Sequence, residues 1–324
     1  MINVRTDLAI EAAKIYEKEN KKEADGIIVR EIDKENNKVT IVKVLNENGS
    51  EKIGKPIGSY ITMEIPEFTA YDGKMMNSSS EVLGKVLKDF LKINKNDNIL
   101  VVGLGNIKVT PDALGPRVIE KIMVTRHLSE VMPDAIDDTV ISTCALSPGV
   151  LGVTGIETFE IIKSIVDNIK PSMVICIDAL ASQKTERVNR TIQISDSGIN
   201  PGAGVNNFRK SICKESLGVK VVAIGVPTVV HAYTIANDAI DLVLDSLIEK
   251  AEKGKEFYNM LKSIDKDEKK ILIKEVLDPL LGEMIVTPKE VDLMIDSLSK
   301  IIANALNIAL QPNLTVQEIN MFLG

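Results

Sequence analysis

The sequence predicts an α/β fold: a largely parallel or mixed sheet flanked by helices, with a small N-terminal β-rich unit and a C-terminal helical appendage. Three observations predict it. Short β-branched runs alternate with helical stretches from Asn98 onward, a β-rich region precedes them, and charged helical sequence follows. In order, Leu8 to Lys22 reads as a Lys/Glu-rich helix. Gly26–Ile32, Val39–Leu45 and Ser59–Ile65 read as antiparallel strands, with turns expected at Glu35-Asn36-Asn37 and Asn48-Gly49. A helix from about Asn77 to Lys92 leads into the alternating region. There, strand Ile99–Gly103 is followed by helix Pro116–Met132, strand Thr139–Cys144, helix Thr158–Ile169 and strand Met173–Asp178. A possible strand Val188–Ile194 comes next, followed by a Gly/Asn-rich loop Ser195–Asn207, strand Lys220–Gly225 and a long helix Val229–Glu252. Such alternation is the mark of crossover units on a sheet covered on both faces. Beyond Lys253 the helices are charged, and Thr287-Pro288-Lys289-Glu290 supplies an N-cap, a first-turn proline and a glutamate three residues on. The chain thus divides into a β-rich part up to residue 95, an α/β core over 96–252 and a helical part over 253–324.

Composition narrows the function classes. The 324 residues are 44% hydrophobic and carry a net charge of −7 with no basic block, which argues against a phosphate-gripping nucleic-acid binder. No apolar run approaches the roughly 18 residues of a membrane span, and the start Met1-Ile2-Asn3-Val4-Arg5 has no apolar leader core, so a cytoplasmic protein with no membrane partner is expected. Cys144, Cys176 and Cys213 are odd in number and lack metal-ligand spacing, which predicts buried thiols. Trp is absent and aromatics make up 3%, so the core falls to Ile, Leu, Val and Met.

Two segments carry the chemistry. Gly103-Leu104-Gly105 runs through Thr110-Pro111 to Asp112 and Gly115-Pro116, while Ile175-Cys176-Ile177 runs into Asp178. Each takes an apolar strand into a loop bearing a carboxylate, where an α/β enzyme collects its reactive groups. A dinucleotide reading of Gly103-Leu104-Gly105 fails because Lys108 stands where the third glycine belongs. Asp112 falls near a helix N-terminus, which favours its ionised form and the role of base. Asp178, at the end of an interior strand, is expected to be desolvated and to hold its proton, as a general acid does. Two carboxylates whose proton affinities are pushed apart can activate a water and protonate a leaving amide.

These residues and the text around them resemble the germination protease family of spore-forming bacteria, endopeptidases that degrade small acid-soluble spore proteins. The similarity runs through Val4–Glu11, Gly103–Asn106, Val109–Pro116, Val124–His127, Pro148–Thr158, Ile177–Ala181, Glu186–Asn189, Thr191–Asp196, Gly198–Gly204, Gly225–Val229 and Met284–Asp292. The middle of the chain is also similar to the hydrogenase maturation endopeptidases. The first resemblance implies that Asp112 and Asp178 are the catalytic pair, the positions that strand-end reasoning singles out. It implies no cofactor, a homotetramer, residence in the spore core, and a zymogen whose propeptide, residues 1–7, is removed between Asp7 and Leu8. It also implies cleavage of substrates after glutamate, followed by an apolar residue and alanine; Asp7-Leu8-Ala9 imitates that site. Thr6 or Asp7 can equally cap the first helix.

An acidic residue before the scissile bond calls for a cationic pocket. Arg187, just after the Asp178 loop, is the first candidate, with Arg190, Arg126, Lys184 and Arg209 beside it. The maturation-type alternative makes Asp112 and Asp178 metal ligands, with His231 or Asp196 added. His127 reads as a helix C-terminal residue, and Cys176 is too apolar in its setting for a reactive thiolate.

Overall fold

A computed structural model describes residues 8–20, 25–34, 37–66, 72–131, 140–202, 209–251, 253, 255–264, 266–281, 284–311 and 313–323. Asp7, the rest of segment 1–7, Glu35 and Asn36 of the first expected turn, Thr139, and residues 203–208 of the Gly/Asn-rich loop lie outside the described residues. Helix α1 (Ala9–Asn20) precedes the meander of β1 (Ile27–Lys34), β2 (Asn37–Val44) and β3 (Gly58–Glu64). The turn expected at Asn48-Gly49 is instead helix α2 (Glu47–Ile53): Asn46 accepts a hydrogen bond from Gly49 N at 2.9 Å, Glu47 opens the first turn, and Gly54 closes the helix at φ 62°. Capping at Asn46 outweighs the hairpin preference of Asn-Gly.

Helix α3 (Gly73–Leu91) starts on Asp72, whose carboxylate accepts from Met75 N at 3.0 Å, and delivers the chain to β4 (Asn98–Gly103). A single 3-10 turn, Thr110–Asp112, leads to α4 (Leu114–Ile119) and then α5 (Arg126–Val131), where the sequence suggested one helix. The break is held by buried Asn307, whose amide bonds Met123 N and Lys121 O, both at 3.0 Å. Next come β5 (Ser142–Leu146), the short α6 (Leu151–Thr154), α7 (Thr158–Ile169) and β6 (Met173–Ser182). A second 3-10 turn at Thr185–Arg187 enters β7 (Thr191–Ser195), then α8 (Lys214–Leu217) and β8 (Lys220–His231). Helix α9 (Ala232–Lys250) follows, with α10 (Glu256–Lys262) and α11 (Lys266–Leu281) packed on it, then β9 (Ile285–Val286), α12 (Val291–Leu310) and α13 (Val316–Leu323). Thr287 does not cap α12. Its hydroxyl donates to Thr228 O at 2.9 Å, and the helix begins four residues later.

The nine strands among the described residues join one mixed sheet in the order β1-β2-β3-β7-β8-β6-β4-β5, with β9 on β8. Strands β5, β4, β6 and β8 are parallel; β7, β3, β2 and β1 continue the sheet antiparallel, so the N-terminal meander is an extension of the parallel sheet. One face, carrying Ile99, Val101, Ile175, Ile177, Val222 and Ile224, is covered by α3, α4 and α12. The opposite face packs Val102, Val174 and Cys176 against α7, and Val42, Val44 and Tyr60 against α1. Among the described residues α12 alone is long and apolar enough to cross a membrane, yet 72% of its 18-residue window is buried, as befits the central core helix it is.

Candidate active site

The two predicted carboxylates belong to adjacent parallel strands, Asp112 in the loop after β4 and Asp178 within β6; the strand expected to end at Asp178 continues to Ser182, because the longer β8 keeps pairing with it. Strands β4 and β6 run in register, Gly103 opposite Ile177, so the loop after β4 stands directly over the residue preceding Asp178. The backbone joins them: Leu104 N donates to Ile177 O at 2.8 Å, and two residues on Asn106 N donates to the Asp112 carboxylate at 2.8 Å. Helix α4 docks against the same two strands, which only glycine at its second position allows. A Cβ on Gly115 would lie 2.2 Å from Leu104 O and 2.7 Å from Ile177 O.

Desolvation raises Asp112 from the ordinary 3.8 to about 6, only partly offset by the Asn106 N–H. The expected helix-dipole effect does not prevail. Asp112 ends a one-turn 3-10 helix that aligns few peptide dipoles, so burial decides its proton affinity. Asp178 is 6% exposed and accepts from Ala179 N at 2.9 Å. Its position beneath Cys176 in the strand also shows in the thiol, which burial first and the Asp178 charge second push well up, leaving it unsuited as a nucleophile. Thr228 of β8 closes the third side, donating its hydroxyl to Pro111 O at 2.7 Å.

Gly105 sets this loop. It holds φ +111°, and a Cβ there would sit 2.1 Å from Asp112 O and 3.1 Å from the Asp112 carboxylate. Gly105→Ala is therefore expected to displace Asp112 and cut peptidase turnover on the order of 100-fold, since misplacement by an ångström has that effect. A steady-state assay with circular dichroism as a fold control checks it.

The remaining candidates are dispersed. Arg187 is buried, with Nε 3.4 Å from Glu11 Oε1 and one terminal nitrogen 3.5 Å from Glu64 Oε1, ion-pair distances longer than good hydrogen bonds. Lys184 lies 3.8 Å from Asp238 with its side chain half exposed. Arg190 is partly buried, its carbonyl accepting from Ile65 N. Arg209 pairs with Glu157 at 3.0 Å, and Arg126 lies near Cys144, where it partly offsets the rise that burial gives that thiol. His127 is the second residue of α5, an N-terminal position and not the helix end expected of it. His231 precedes α9 and stacks on Tyr233 at 5.3 Å between ring centroids. Asp196 accepts from Ser59 N at 2.7 Å, and no set of three His, Cys, Asp or Glu side chains is grouped for a metal ion among the described residues.

Sequence reasoning did not single out Gln193 or pair Glu11 with Arg187. Gln193 accepts from Ala9 N at 2.7 Å, and the Glu11 carboxylate accepts from Ser182 Oγ at 3.1 Å and Gln183 N at 3.3 Å. Both lie in segments that carry the family resemblance, but only strand register reveals what they touch.

A crossover sheet with one carboxylate within β6 and another in the loop after the adjacent β4 fits the hydrolase class, and the comparisons make that class a peptidase. The germination protease family model matches residues 3–256 and 244–323. The chain is 58% identical over 325 residues to the germination protease of Clostridium perfringens strain 13, covering 100% of both. It is 56% identical over 323 residues to that of Clostridium tetani, again covering 100% of both. It is 42% identical over 355 residues to that of Bacillus licheniformis, covering 98% of this chain and 96% of the relative. The chain belongs to the germination protease family.

Proposed function

We propose that the protein is an endopeptidase of the spore core cytoplasm that starts degradation of small acid-soluble spore proteins at germination, cutting after an acidic residue. Asp112 and Asp178 share one proton. The ionised carboxylate takes a proton from water as its oxygen attacks the scissile carbonyl carbon, and the protonated one delivers its proton to the amide nitrogen as the C–N bond breaks. The observation that carries this reading is the lifted proton affinity of Asp112 in a loop hydrogen-bonded to the residue beside Asp178.

The precursor is cut between Asp7 and Leu8, which releases residues 1–7. The acid before a substrate's scissile bond is met by a cation among Lys184, Arg190, Arg126 and Arg209; Arg187 serves only where that acid replaces Glu11. Exposed apolar side chains on α9, α10 and α11, among them Leu242, Val243, Phe257, Met260, Leu272 and Val276, support assembly as a homotetramer.

Incubating the purified full chain under activating conditions and sequencing its new N-terminus tests the reading. Wild type is expected to start at Leu8 and digest a spore protein, with both activities lost in Asp178→Asn and insensitive to chelator. Wild-type processing by Asp178→Asn and Asp112→Asn would rule out the pair, and loss of activity on chelation would favour a metal-bound water.

A further inference from the structure

Strand register lays a row of residues across the face of the sheet that α1 covers. Thr40 stands opposite Thr62, Thr62 opposite Gln193, Gln193 opposite Gly225, and Gly225 opposite Asp178. Cross-strand partners share a face, so the Gln193 side chain projects on the same side as that of Asp178, two strand spacings or about 10 Å away. Gly225 between them contributes no side chain of its own. A Cβ there would lie 2.4 Å from the Leu180 side chain, which lies over this position.

The start of α1 is fastened to this row at two points. Gln193 Oε1 accepts from Ala9 N at 2.7 Å, with both residues buried. Two residues on, the 5% exposed Glu11 is held by Ser182 and Gln183 at the end of β6 and by the Arg187 guanidinium. Leu8, Ala9 and Ile10 between and before these points are at most 1% exposed. The tether therefore runs from β7 to the extension of β6, the two strands flanking β8 beside Asp178.

We propose that Gln193 and Arg187 are positioning residues for processing of the chain's own precursor. They fix the main chain at Ala9 and Glu11, which sets the register in which the peptide bond to Leu8 N meets the two carboxylates. Leu8 N is one residue from the Gln193 bond, at most about 3.6 Å along the chain, so fixing Ala9 N on Gln193 fixes Leu8 N close to it. A buried glutamine oxygen that accepts a main-chain N–H selects no side chain; it sets which peptide link is presented. This inference rests on the precursor reading above.

Full-length Gln193→Met, Gln193→Glu and Glu11→Gln chains test it, followed by mass spectrometry of the new N-termini and by thermal melts. Gln193→Met keeps the length of the side chain and removes the acceptor. It is expected to slow processing at least about tenfold and to spread the cut over bonds neighbouring Asp7–Leu8. Gln193→Glu retains an acceptor oxygen and is expected to restore a single Leu8 terminus, while Glu11→Gln, which loosens the second tether, spreads the cut as Gln193→Met does. A merely structural glutamine would lower the melting temperature and leave the terminus at Leu8 in every variant, which overturns the proposal. A Gln193→Met chain that matches wild type in rate and terminus overturns it too. A wild-type chain that never acquires a Leu8 terminus overturns the precursor reading and the assignment together.

Discussion

Asp112→Asn is expected to abolish peptidase activity and, at neutral pH, to make the protein more stable. Native Asp112 takes up its proton at about 6, against 3.8 for an ordinary aspartate, chiefly because burial penalises the charge. Between those values the native state binds more protons than the unfolded chain. The stability this group contributes is therefore fully present below pH 3.8 and is lost as pH rises through 6. Above that pH the ionised carboxylate costs up to about 3 kcal/mol, taking 1.36 kcal/mol per unit over the interval. Asparagine keeps an oxygen for the Asn106 N–H and carries no charge, so it escapes this cost. Denaturant titrations at pH 7.5 should show the variant more stable by as much as that ceiling, and the difference should vanish by pH 4. Turnover should fall by at least roughly 100-fold, the scale on which positioned acid–base groups act. The wild-type rate profile should carry a limb near pH 6. Equal stability of the two proteins at pH 7.5 would mean that Asp112 is not strained by desolvation, and the proton-sharing mechanism would lose its physical basis.

How far the sequence reveals this site depends on which interaction decides each element. Asp112 and Asp178 are legible because local apolar runs lead into each of them and crossover topology brings neighbouring parallel strands together. The run into Asp178 hides that β6 continues to Ser182, since only pairing with β8 extends it. The alternation that predicts β4, β6, β8 and α7 is likewise local. The antiparallel strands are visible as β-rich text, yet nothing in that text says that β3 pairs with β7 and so fuses the N-terminal meander to the parallel sheet. The row from Thr40 to Asp178 joins five strands whose order no period-2 pattern encodes. Helix ends fail for a related reason: Thr287 has the chemistry of a cap, but a carbonyl on β8 takes its hydroxyl. Helix position, visible in sequence, points to an ionised Asp112, whereas the burial that raises its proton affinity is not visible there.

Arg187→Met is expected to destabilise the protein by about 3–5 kcal/mol, the loss found when one partner of a buried ion pair is removed and the other charge is left behind. Glu11 is the charge left behind. At 5% exposure it would keep its bonds from Ser182 and Gln183 but lose the Arg187 guanidinium, while Glu64, with its side chain 37% exposed, could be solvated in place. Adding Glu11→Gln removes the stranded charge, and the double variant should regain most of the lost stability. Urea melts of wild type, the two single variants and the double measure this coupling. The cycle also separates two uses of the guanidinium. A cation kept for a substrate carboxylate would be stabilised little by the protein, so Arg187→Met would leave the melts near wild type and raise KM. A cation that holds Glu11 moves the melts strongly and couples to Glu11→Gln. The ion-pair distances favour the second outcome: Arg187 anchors the start of α1 to the end of β6.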